Sequence, residues 1–515
     1  MLNQSCKKVL VRGVNWIGDS VMSLSALSAL RKALPEAKIS ILVKPWVSQI
    51  YENNPNVDEI IIYNDEYKGI IGKIKLSWML NRKDFCSAIL FQNAFDAALI
   101  TFLARIKVRA GYSTDGRGFL LTTAIPVPQN AGEVHQVNYY LNLLEQIGIK
   151  EAYSDPYLYL TLDERLHARN LLKDMRRPVL GINPGATYGS AKRWFPERFA
   201  EIANWFIRDT KGSVIIFGGK NEVDIAQEID KHIPEDKLLL AGKTSLRELI
   251  SFISECDVFV TNDSGPLHIA YAVGTPLVAL FCSTDPNLTG PLPETDGEGN
   301  VVIHPDISCS PCFERTCKNN DLRCMYAITS DDVYHGIKKI LPDRPAVFFD
   351  RDGTLCKDVG YLHKYDDFHP FLDIESVMSL KERGFKLIGV SNQSGIAKGI
   401  IEEDFVRYIN TIFIERYSFN DFYYCPHQPE ERCPCRKPEP QMLLKARAKH
   451  GIDFKKSFIV GDKETDMLLA KAVGAKGILV KTGVAKESIY ADFIAENLTV
   501  AVNWIVKNHE LLFQG

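Results

Sequence analysis

Residues 346–354 read AVFFDRDGT, so four apolar residues lead directly into a turn that carries two aspartates. The apolar run predicts a buried parallel strand, and open α/β sheets bind ligands at the carboxyl ends of such strands. Asp350 can attack phosphorus, and Asp352 can protonate the leaving oxygen and later activate water. Mg²⁺ would offset the clustered negative charge. The alternative for this motif alone is an acidic turn after a strand.

Two further predicted strands in this half also end in polar residues. Residues 386–390 (KLIGV) lead into the Ser-Asn-Gln-Ser segment 391–394, whose hydroxyl, amide and backbone donors suit a phosphoryl group. Residues 458–460 (FIV) lead into the segment 461–466 (GDKETD), whose carboxylates, Asp462 first among them, are suited to Mg²⁺. Lys437 supplies a positive charge for the same phosphoryl oxygens.

A short loop between the second and third of these strands carries three thiols and an imidazole. The four side chains are Cys425, His427, Cys433 and Cys435. Cys-x-His followed by Cys-x-Cys is enough for a closed tetrahedral Zn²⁺ site, and a closed site is structural. Four unrelated loop residues are the alternative.

The order of nucleophile, phosphate-binding hydroxyl and metal-binding acid over residues 343–510 resembles the haloacid dehalogenase-like phosphatases. The zinc loop is similar to that of a branch of the family that contains heptose-bisphosphate and histidinol phosphatases, and the segment 358–363 (DVGYLH) resembles the heptose-bisphosphate members of this branch. The resemblance implies hydrolysis of the 7-phosphate of a heptose 1,7-bisphosphate through an aspartyl-phosphate, with a histidinol-phosphatase-like domain as the alternative. The Mg²⁺ ligands that it implies are Asp350, Asp352 and Asp462. The substrate contacts that it implies are Asp358, Val359, Gly360, Tyr361, Ser391, Asn392, Gln393, Ser394, Arg436, Lys437 and Lys463.

The composition of the 515-residue chain, with 46% hydrophobic and 24% charged residues, is typical of a soluble globular protein. The net charge of −3 argues against nucleic acid as a partner. We expect a cytoplasmic location, because we find neither a membrane span nor a signal peptide. Of the 12 cysteines, seven fall in two clusters with metal-like spacing rather than in a disulfide framework. For Cys309, Cys312, Cys317 and Cys324, metal binding, disulfide pairing and free thiols all stay open.

Apolar strands alternate with helix-like segments throughout the chain, which predicts α/β domains with parallel sheets and helices on both faces. A break between Pro156 and Pro178 and a second at 341–345 (LPDRP) separate the units. We therefore predict domains at 1–165, 166–342 and 343–510.

Three loops in the first two predicted domains have the composition of phosphate-binding turns. They are 12–20 (RGVNWIGDS), 183–194 (NPGATYGSAKRW) and 261–268 (TNDSGPLH). Each follows a predicted strand, and small residues, hydroxyls and helix N-termini at such a position favour an anionic ligand. The alternatives are a helix cap for Asp19 and for His268, and a solvated surface loop for the second segment.

The same three segments, in this order, resemble the ADP-heptose:lipopolysaccharide heptosyltransferases, whose fold is GT-B. The resemblance implies two Rossmann-like domains followed by the phosphatase domain. It makes Asp19 the general base for the acceptor hydroxyl, with inversion at the anomeric carbon and no required metal. The residues that it assigns to ADP and the sugar are Thr187, Lys192, Glu222, Asp263, Ser264, Gly265 and His268.

The substrates implied by the two resemblances belong together: ADP-heptose, a lipopolysaccharide inner-core acceptor and heptose 1,7-bisphosphate. Residues 68–83 intersperse Lys and Arg with Ile, Leu and Trp, which suits a basic amphipathic segment at the inner membrane. A solvated helix face is the alternative for this segment. A rival for the whole chain is a binding module in which one half has lost its activity, but the intact acids and lysines of both halves argue against it.

Overall fold

The computed structural model of the chain describes residues 6–128, 132–150, 153–292 and 299–512. Within these ranges the backbone forms three six-stranded sheets. The strands are β1 (Lys8–Arg12), β2 (Lys38–Val43), β3 (Glu59–Ile62), β4 (Ser87–Leu90), β5 (Val108–Tyr112), β6 (Thr123–Ile125), β7 (Val179–Asn183), β8 (Ser213–Ile216), β9 (Lys237–Leu239), β10 (Val258–Asn262), β11 (Leu277–Leu280), β12 (Asn300–Ile303), β13 (Ala346–Phe349), β14 (Lys386–Asn392), β15 (Asp421–Cys425), β16 (Phe458–Gly461), β17 (Lys476–Val480) and β18 (Phe493–Ala495).

Helices connect the strands. They are α1 (Ile17–Met22), α2 (Leu24–Ala33), α3 (Gly69–Arg82), α4 (Phe95–Leu103), α5 (Gln136–Gln146), α6 (Leu162–Leu171), α7 (Pro196–Thr210), α8 (Val223–Lys231), α9 (Leu246–Ser254), α10 (Gly265–Ala272), α11 (Pro286–Thr289), α12 (Arg323–Ala327), α13 (Ser330–Ile340), α14 (Met378–Glu382), α15 (Glu403–Tyr417), α16 (Gln441–His450), α17 (Glu464–Val473) and α18 (Leu498–Leu512).

All three sheets have the same strand order. They run β3-β2-β1-β4-β5-β6, β12-β11-β10-β7-β8-β9 and β15-β14-β13-β16-β17-β18, with parallel pairing between neighbours. In each sheet the first strand lies at the centre, between the second and the fourth, so the chain direction across the sheet reverses there. Ligands of open α/β sheets bind outside the carboxyl ends of the strands at such a reversal point. The predicted α/β fold class is confirmed.

The chain forms two compact units. The first holds β1–β12 and the second holds β13–β18. Helix α6 belongs to the second unit although it precedes β7 in the chain, and the Arg169 guanidinium donates to the carbonyl oxygens of Lys471 (2.8 Å) and Ala472 (3.2 Å).

The central strands are buried on both faces, which is why their sequences are continuous apolar runs. Residues 346–349 are fully buried, and those of β1 after Lys8 are likewise buried. Within the described ranges, every helix is too short or too polar to span a lipid bilayer.

Cys6 and Cys86 are joined by a disulfide, which the sequence analysis did not predict. The pairing of β1 with β4, in which Val9 lies opposite Ser87, brings the two thiols together across 80 residues of chain.

Candidate active sites

The first candidate site lies at the carboxyl edge of the third sheet. Strands β14, β13 and β16 are neighbours, so the polar residues that follow them converge. Asp350, Asp462 and Asp466 form a buried group whose carboxylate oxygens lie within 4.8 Å of one another. Sequence reasoning named the first two. Asp466 belongs to the acidic 461–466 segment but was not assigned as a ligand, because it lies on α17 and its orientation depends on the turn that connects β16 to that helix.

A buried lysine bridges two of these acids. The Nζ of Lys437 lies 2.8 Å from Asp350 Oδ1 and 2.7 Å from Asp466 Oδ1, and it donates to the Val390 carbonyl oxygen at 3.0 Å. Although burial acts to lower it, the two carboxylates raise the pKa of Lys437 above its usual value. The lysine is therefore charged and aimed at the predicted nucleophile.

Asp462, the acid of this group that Lys437 does not contact, has the features of a metal ligand. Oδ1 of Asp462 is buried without a hydrogen-bond partner, while Oδ2 accepts from the Val484 backbone at 2.9 Å. Burial and the nearby Asp350 raise the pKa of Asp462 to about 7. Gly353 has a φ of +90°, and a Cβ there would come within 2.5 Å of Asp462 Oδ2. A buried set of three carboxylates with an unpartnered oxygen fits a hard divalent cation such as Mg²⁺.

Asp352 lies outside this group. Its carboxylate accepts from Arg351 at 2.9 Å and from Gln393 Nε2 at 2.8 Å. Although burial opposes it, the Arg351 guanidinium lowers the pKa of Asp352. Its role as a Mg²⁺ ligand stays a prediction.

The predicted substrate residues of this half surround the acids. Lys463 Nζ donates to Asp358 Oδ2 at 3.2 Å, and Gln393 Nε2 donates to the Ser391 hydroxyl at 2.6 Å. The Lys437 amide donates to Asn392 Oδ1 at 3.0 Å. The remaining members of this set are Val359, Gly360, Tyr361, Ser394 and Arg436, and we call them the rim; Ser394 and Arg436 interact with Tyr361, which Val359 and Gly360 precede in the chain.

The rim also contains a cation that sequence reasoning did not name. Lys398 Nζ donates to the Tyr361 hydroxyl at 2.8 Å. This hydrogen bond lowers the pKa of Tyr361, and the Arg436 guanidinium contributes to the same shift. No sequence pattern identified Lys398, because it lies four residues beyond the 391–394 segment and reaches the site only through the folding of that loop.

The predicted zinc ligands form a second compact group. Ligand atoms of Cys425, His427, Cys433 and Cys435 lie within 4.8 Å of one another. His427 Nδ1 lies 3.6 Å from the Cys425 sulfur and 3.4 Å from the Cys435 sulfur. Three thiols and one imidazole at these separations fit a tetrahedral Zn²⁺ ion.

The other cysteine cluster does not gather in this manner. Within the described ranges, Cys309, Cys312, Cys317 and Cys324 have no disulfide, and no metal-sized group contains three of them. Cys324 instead interacts with buried Cys282, and that hydrogen bond lowers the pKa of Cys324 to about 7.

The second candidate site is a cleft of about 680 Å³ in the first unit. All eight predicted transferase residues line it: Asp19, Thr187, Lys192, Glu222, Asp263, Ser264, Gly265 and His268. Asp19 comes from helix α1, which follows β1, whereas the others follow strands of the second sheet. The cleft therefore brings together a carboxylate from one sheet and a polar, partly cationic wall from the other.

Asp19 is part of helix α1, whose cap position is occupied by Trp16, so Asp19 is not the helix cap that was the alternative. Burial raises the pKa of Asp19 to about 6, and the Tyr140 hydroxyl, 3.5 Å from Asp19 Oδ1, opposes the shift. A carboxylate of this pKa is a suitable general base near neutral pH.

Lys192 is paired across the cleft wall. Its ammonium forms a buried ion pair with Asp263, whose Oδ2 also accepts from the Thr284 hydroxyl at 2.6 Å. The ion pair holds the lysine at the edge of β10, where it faces the cleft.

Two close contacts explain glycines in the predicted loops. A Cβ on Gly18 would come within 2.6 Å of the His268 ring, and a Cβ on Gly185 would overlap the Glu222 carboxylate. His268 lies inside α10 behind the cap residue Ser264, so it is not a helix cap. Burial lowers the pKa of His268 to about 4, so the imidazole is neutral at neutral pH.

Two tryptophans in the cleft were not predicted as site residues. Trp16 and Trp46 both line it and are each 56% exposed. The Trp46 indole N–H donates to the Asn15 carbonyl oxygen at 2.8 Å. Sequence reasoning had no signal for these two residues, because the exposure of a side chain is not readable from sequence alone.

Comparison with known proteins agrees with both halves. The profile of glycosyltransferase family 9 (heptosyltransferase) matches residues 74–323, and the HAD-hydrolase-like profile matches residues 434–501. Lipooligosaccharide heptosyltransferase 2 of Campylobacter jejuni is 30% identical over 348 residues, which are 65% of this chain and 99% of that protein. The solved structure of E. coli ADP-heptose LPS heptosyltransferase II is 28% identical with a TM-score of 0.56, and the match covers 65% of this chain and 98% of that one.

The last part of the chain has different relatives. D-glycero-beta-D-manno-heptose-1,7-bisphosphate 7-phosphatase of Photorhabdus laumondii is 44% identical over 156 residues, which are 27% of this chain and 81% of that protein. The resemblances predicted from the motifs are confirmed for both halves. The chain therefore belongs to glycosyltransferase family 9, the heptosyltransferases, through its first part and to the HAD-like heptose-bisphosphate 7-phosphatases through its last part.

Proposed function

We propose that the chain is a bifunctional enzyme of lipopolysaccharide core biosynthesis. One half transfers heptose from ADP-heptose to the inner core, and the other removes the 7-phosphate of D-glycero-D-manno-heptose 1,7-bisphosphate. The observation that carries the proposal is that predicted residues of each half converge, eight of them around one cleft and, in the other half, Asp350 and Asp462 in one buried acid group.

In the transferase, Asp19 removes the proton of the acceptor hydroxyl as its oxygen attacks the anomeric carbon. The carbon–oxygen bond to ADP breaks, and the electron pair leaves with the diphosphate. Attack opposite the leaving group inverts the anomeric carbon. Lys192 and Thr187 neutralise the departing diphosphate, while Glu222, Asp263, Ser264, Gly265 and His268 hold nucleotide and sugar. No metal is required for this step.

In the phosphatase, Asp350 attacks phosphorus and forms an aspartyl-phosphate, which water then hydrolyses. Asp352 protonates the leaving sugar oxygen and then activates the water. Asp350 and Asp462, with Asp352 or Asp466, would hold Mg²⁺, which offsets negative charge at the phosphoryl group. Lys437 with Ser391 binds the phosphoryl oxygens, and the rim residues bind the rest of the bisphosphate.

The proposed substrates indicate where in the cell the chain acts. ADP-heptose and heptose bisphosphate are water-soluble anions, whereas the lipopolysaccharide acceptor is anchored in a membrane. We propose a cytoplasmic chain with peripheral contact at the inner membrane.

The test of the bifunctional proposal is one purified chain given both reactions. We expect ADP release that depends on an inner-core acceptor, and phosphate release from heptose 1,7-bisphosphate. Assays of the α and β anomers beside histidinol phosphate establish the substrate of the second half. A chain that hydrolyses histidinol phosphate faster than both heptose bisphosphates would contradict the phosphatase assignment.

Replacing Lys192, the cation proposed to neutralise the departing diphosphate, should weaken ADP binding and heptose transfer together. In Lys192→Ala we expect ADP binding and heptose transfer each to weaken about ten- to a hundredfold, the value of a hydrogen bond to a charged group. Titration calorimetry with ADP and a transfer assay measure the two effects. Lys173→Ala removes an exposed lysine of the same unit and is the control. Unchanged ADP affinity in Lys192→Ala would remove the lysine from the leaving-group site.

Zinc should be bound by the loop of Cys425, His427, Cys433 and Cys435 and should be structural. We expect Cys433→Ser/Cys435→Ser to lose about one Zn²⁺ per chain, because closed four-ligand sites retain their metal through purification. The measurement is metal analysis of the full chain before and after the change, together with thermal unfolding. Cys312→Ser removes an exposed thiol outside the loop and should keep the metal content of the parent. Equal zinc content in all three proteins would refute the assignment.

A further inference from the structure

Helix α3 exposes large apolar side chains that the transferase reaction does not use. Ile70 is 79% exposed, Ile71 84%, Ile74 54% and Trp78 59%. At 3.6 residues per turn these four positions fall within an arc of about 100° on one side of the helix. The opposite side carries the buried residues Gly72, Leu76 and Leu80, which pack on the domain, and buried Ser77 lies at the border of the exposed arc. We call the four exposed residues the α3 face.

The apolar surface continues onto the neighbouring helix. Hydrogen bonds from Ser77 Oγ to the Ile100 carbonyl oxygen and from Asn81 Nδ2 to the Ala104 carbonyl oxygen, both 3.0 Å, fix α3 beside α4. The last turn of α4 exposes Phe102 and Leu103. Exposed apolar residues clustered in this manner mark an interaction surface, whereas scattered single ones do not.

Positive charge surrounds these residues. Residues 65–119 contain nine Lys or Arg and five Asp or Glu, whereas the whole chain carries −3; of the nine cations, Arg117 is buried and Lys83 pairs with Glu59 outside the segment. The Arg82 guanidinium lies 3.6 Å above the Trp78 ring, and the Arg109 guanidinium lies 5.4 Å from the Phe102 ring. Arg105 and Lys107, directly after the apolar end of α4, are exposed. Anionic lipid headgroups attract the bordering cations, and the region between headgroups and acyl chains accommodates an exposed apolar face that contains tryptophan.

We propose that the α3 face, with Phe102 and Leu103, docks the first unit on an anionic lipid bilayer. Isoleucine and tryptophan would enter the boundary between headgroups and acyl chains, while the bordering Lys and Arg contact lipid phosphates. The choice of a lipid bilayer as the partner rests on the proposed function in one respect, because that function implies a lipid-anchored acceptor. Docking through the sheet that supplies Asp19 keeps the acceptor-side half of the cleft attached to the membrane in which the acceptor lies.

Vesicle flotation of the full chain tests the proposal without any substrate. We expect the parent to bind vesicles of phosphatidylethanolamine with phosphatidylglycerol, to bind phosphatidylcholine vesicles much more weakly, and to lose binding as salt rises. Ile70→Glu/Ile71→Glu should bind the anionic vesicles at least about tenfold more weakly than the parent, since it puts two negative charges at the bilayer boundary. Leu372→Glu/Ile489→Glu is the matched control, because it adds two charges at fully exposed apolar residues of the other unit.

A second measurement separates docking from catalysis. The α3 variant should lose transfer to an acceptor embedded in vesicles yet transfer at the parental rate to an acceptor whose acyl chains have been removed. Absence of vesicle binding by the parent, or equal binding by parent and α3 variant, would overturn the proposal. The proposal would also be overturned if the parent were an oligomer and the same variant made it monomeric without changing vesicle binding. The surface would then join copies of the chain. If the parent fails to transfer heptose to either acceptor, the heptosyltransferase proposal is contradicted. The flotation experiment uses no substrate, so it still tests membrane docking in that case.

Discussion

Asp350→Asn should lose phosphate release by roughly 10⁴-fold or more, because the amide cannot form the aspartyl-phosphate. The geometry makes the loss specific. Asp350 lies in the buried acid group and pairs with Lys437, so the substitution removes the attacking oxygen and leaves its neighbours in place. Initial rates on heptose 1,7-bisphosphate measure the effect. Label from the substrate phosphate should appear on the quenched parent protein and be absent from the variant.

Asp366→Asn is the matched control, because it makes the same change at an exposed acid of the same unit. It should release phosphate at the parental rate. Heptose transfer should be unchanged in both variants, since the cleft belongs to the other compact unit. Turnover of Asp350→Asn within roughly tenfold of the parent, with an intact zinc content, would contradict the nucleophile assignment.

The parts of both sites that could be predicted from sequence are those fixed by local pattern. An apolar run that ends in small and polar residues defines a strand and its carboxyl end, and parallel sheets bring such ends to one edge. This is why Asp350, Ser391 and Asp462 were found from three separate segments. The zinc loop was found for the same reason, because its ligands are close in sequence.

The features that sequence reasoning missed depend on how distant or neighbouring elements pack. The Cys6–Cys86 disulfide depends on β1 and β4 being neighbours. The hydrogen bonds of Asp352 with Arg351 and Gln393 depend on packing too, because a buried arginine beside it needs a partner. For α3 the sequence contained the apolar and basic residues of a membrane-binding helix, but only packing reveals that its isoleucines point outward.

Asp19→Ala should keep the affinity for ADP within about threefold and lose heptose transfer by roughly 10³-fold, since loss of a general base removes only the proton transfer. Asp19 comes from the first sheet and the proposed ADP-binding residues come from the second, which separates the two effects. Calorimetry with ADP and transfer to an inner-core acceptor measure them. Asp174→Ala, at an exposed acid of the same unit, should match the parent in both. Parental transfer by Asp19→Ala would reduce Asp19 to a structural residue of the first turn of α1.

The pH dependence of the parent gives this prediction a second readout. Burial raises the pKa of Asp19 to about 6, so the carboxylate is charged above that pH and takes up a proton below it. The transfer rate should therefore fall about tenfold per unit as pH drops below about 6. In Tyr140→Phe the hydroxyl 3.5 Å from Asp19 Oδ1 is lost, and with it a hydrogen bond that lowers the pKa of Asp19. The acid limb should move to higher pH while the rate at high pH stays close to that of the parent. An acid limb at the same pH in the two proteins would show that the group titrating in the profile is not Asp19.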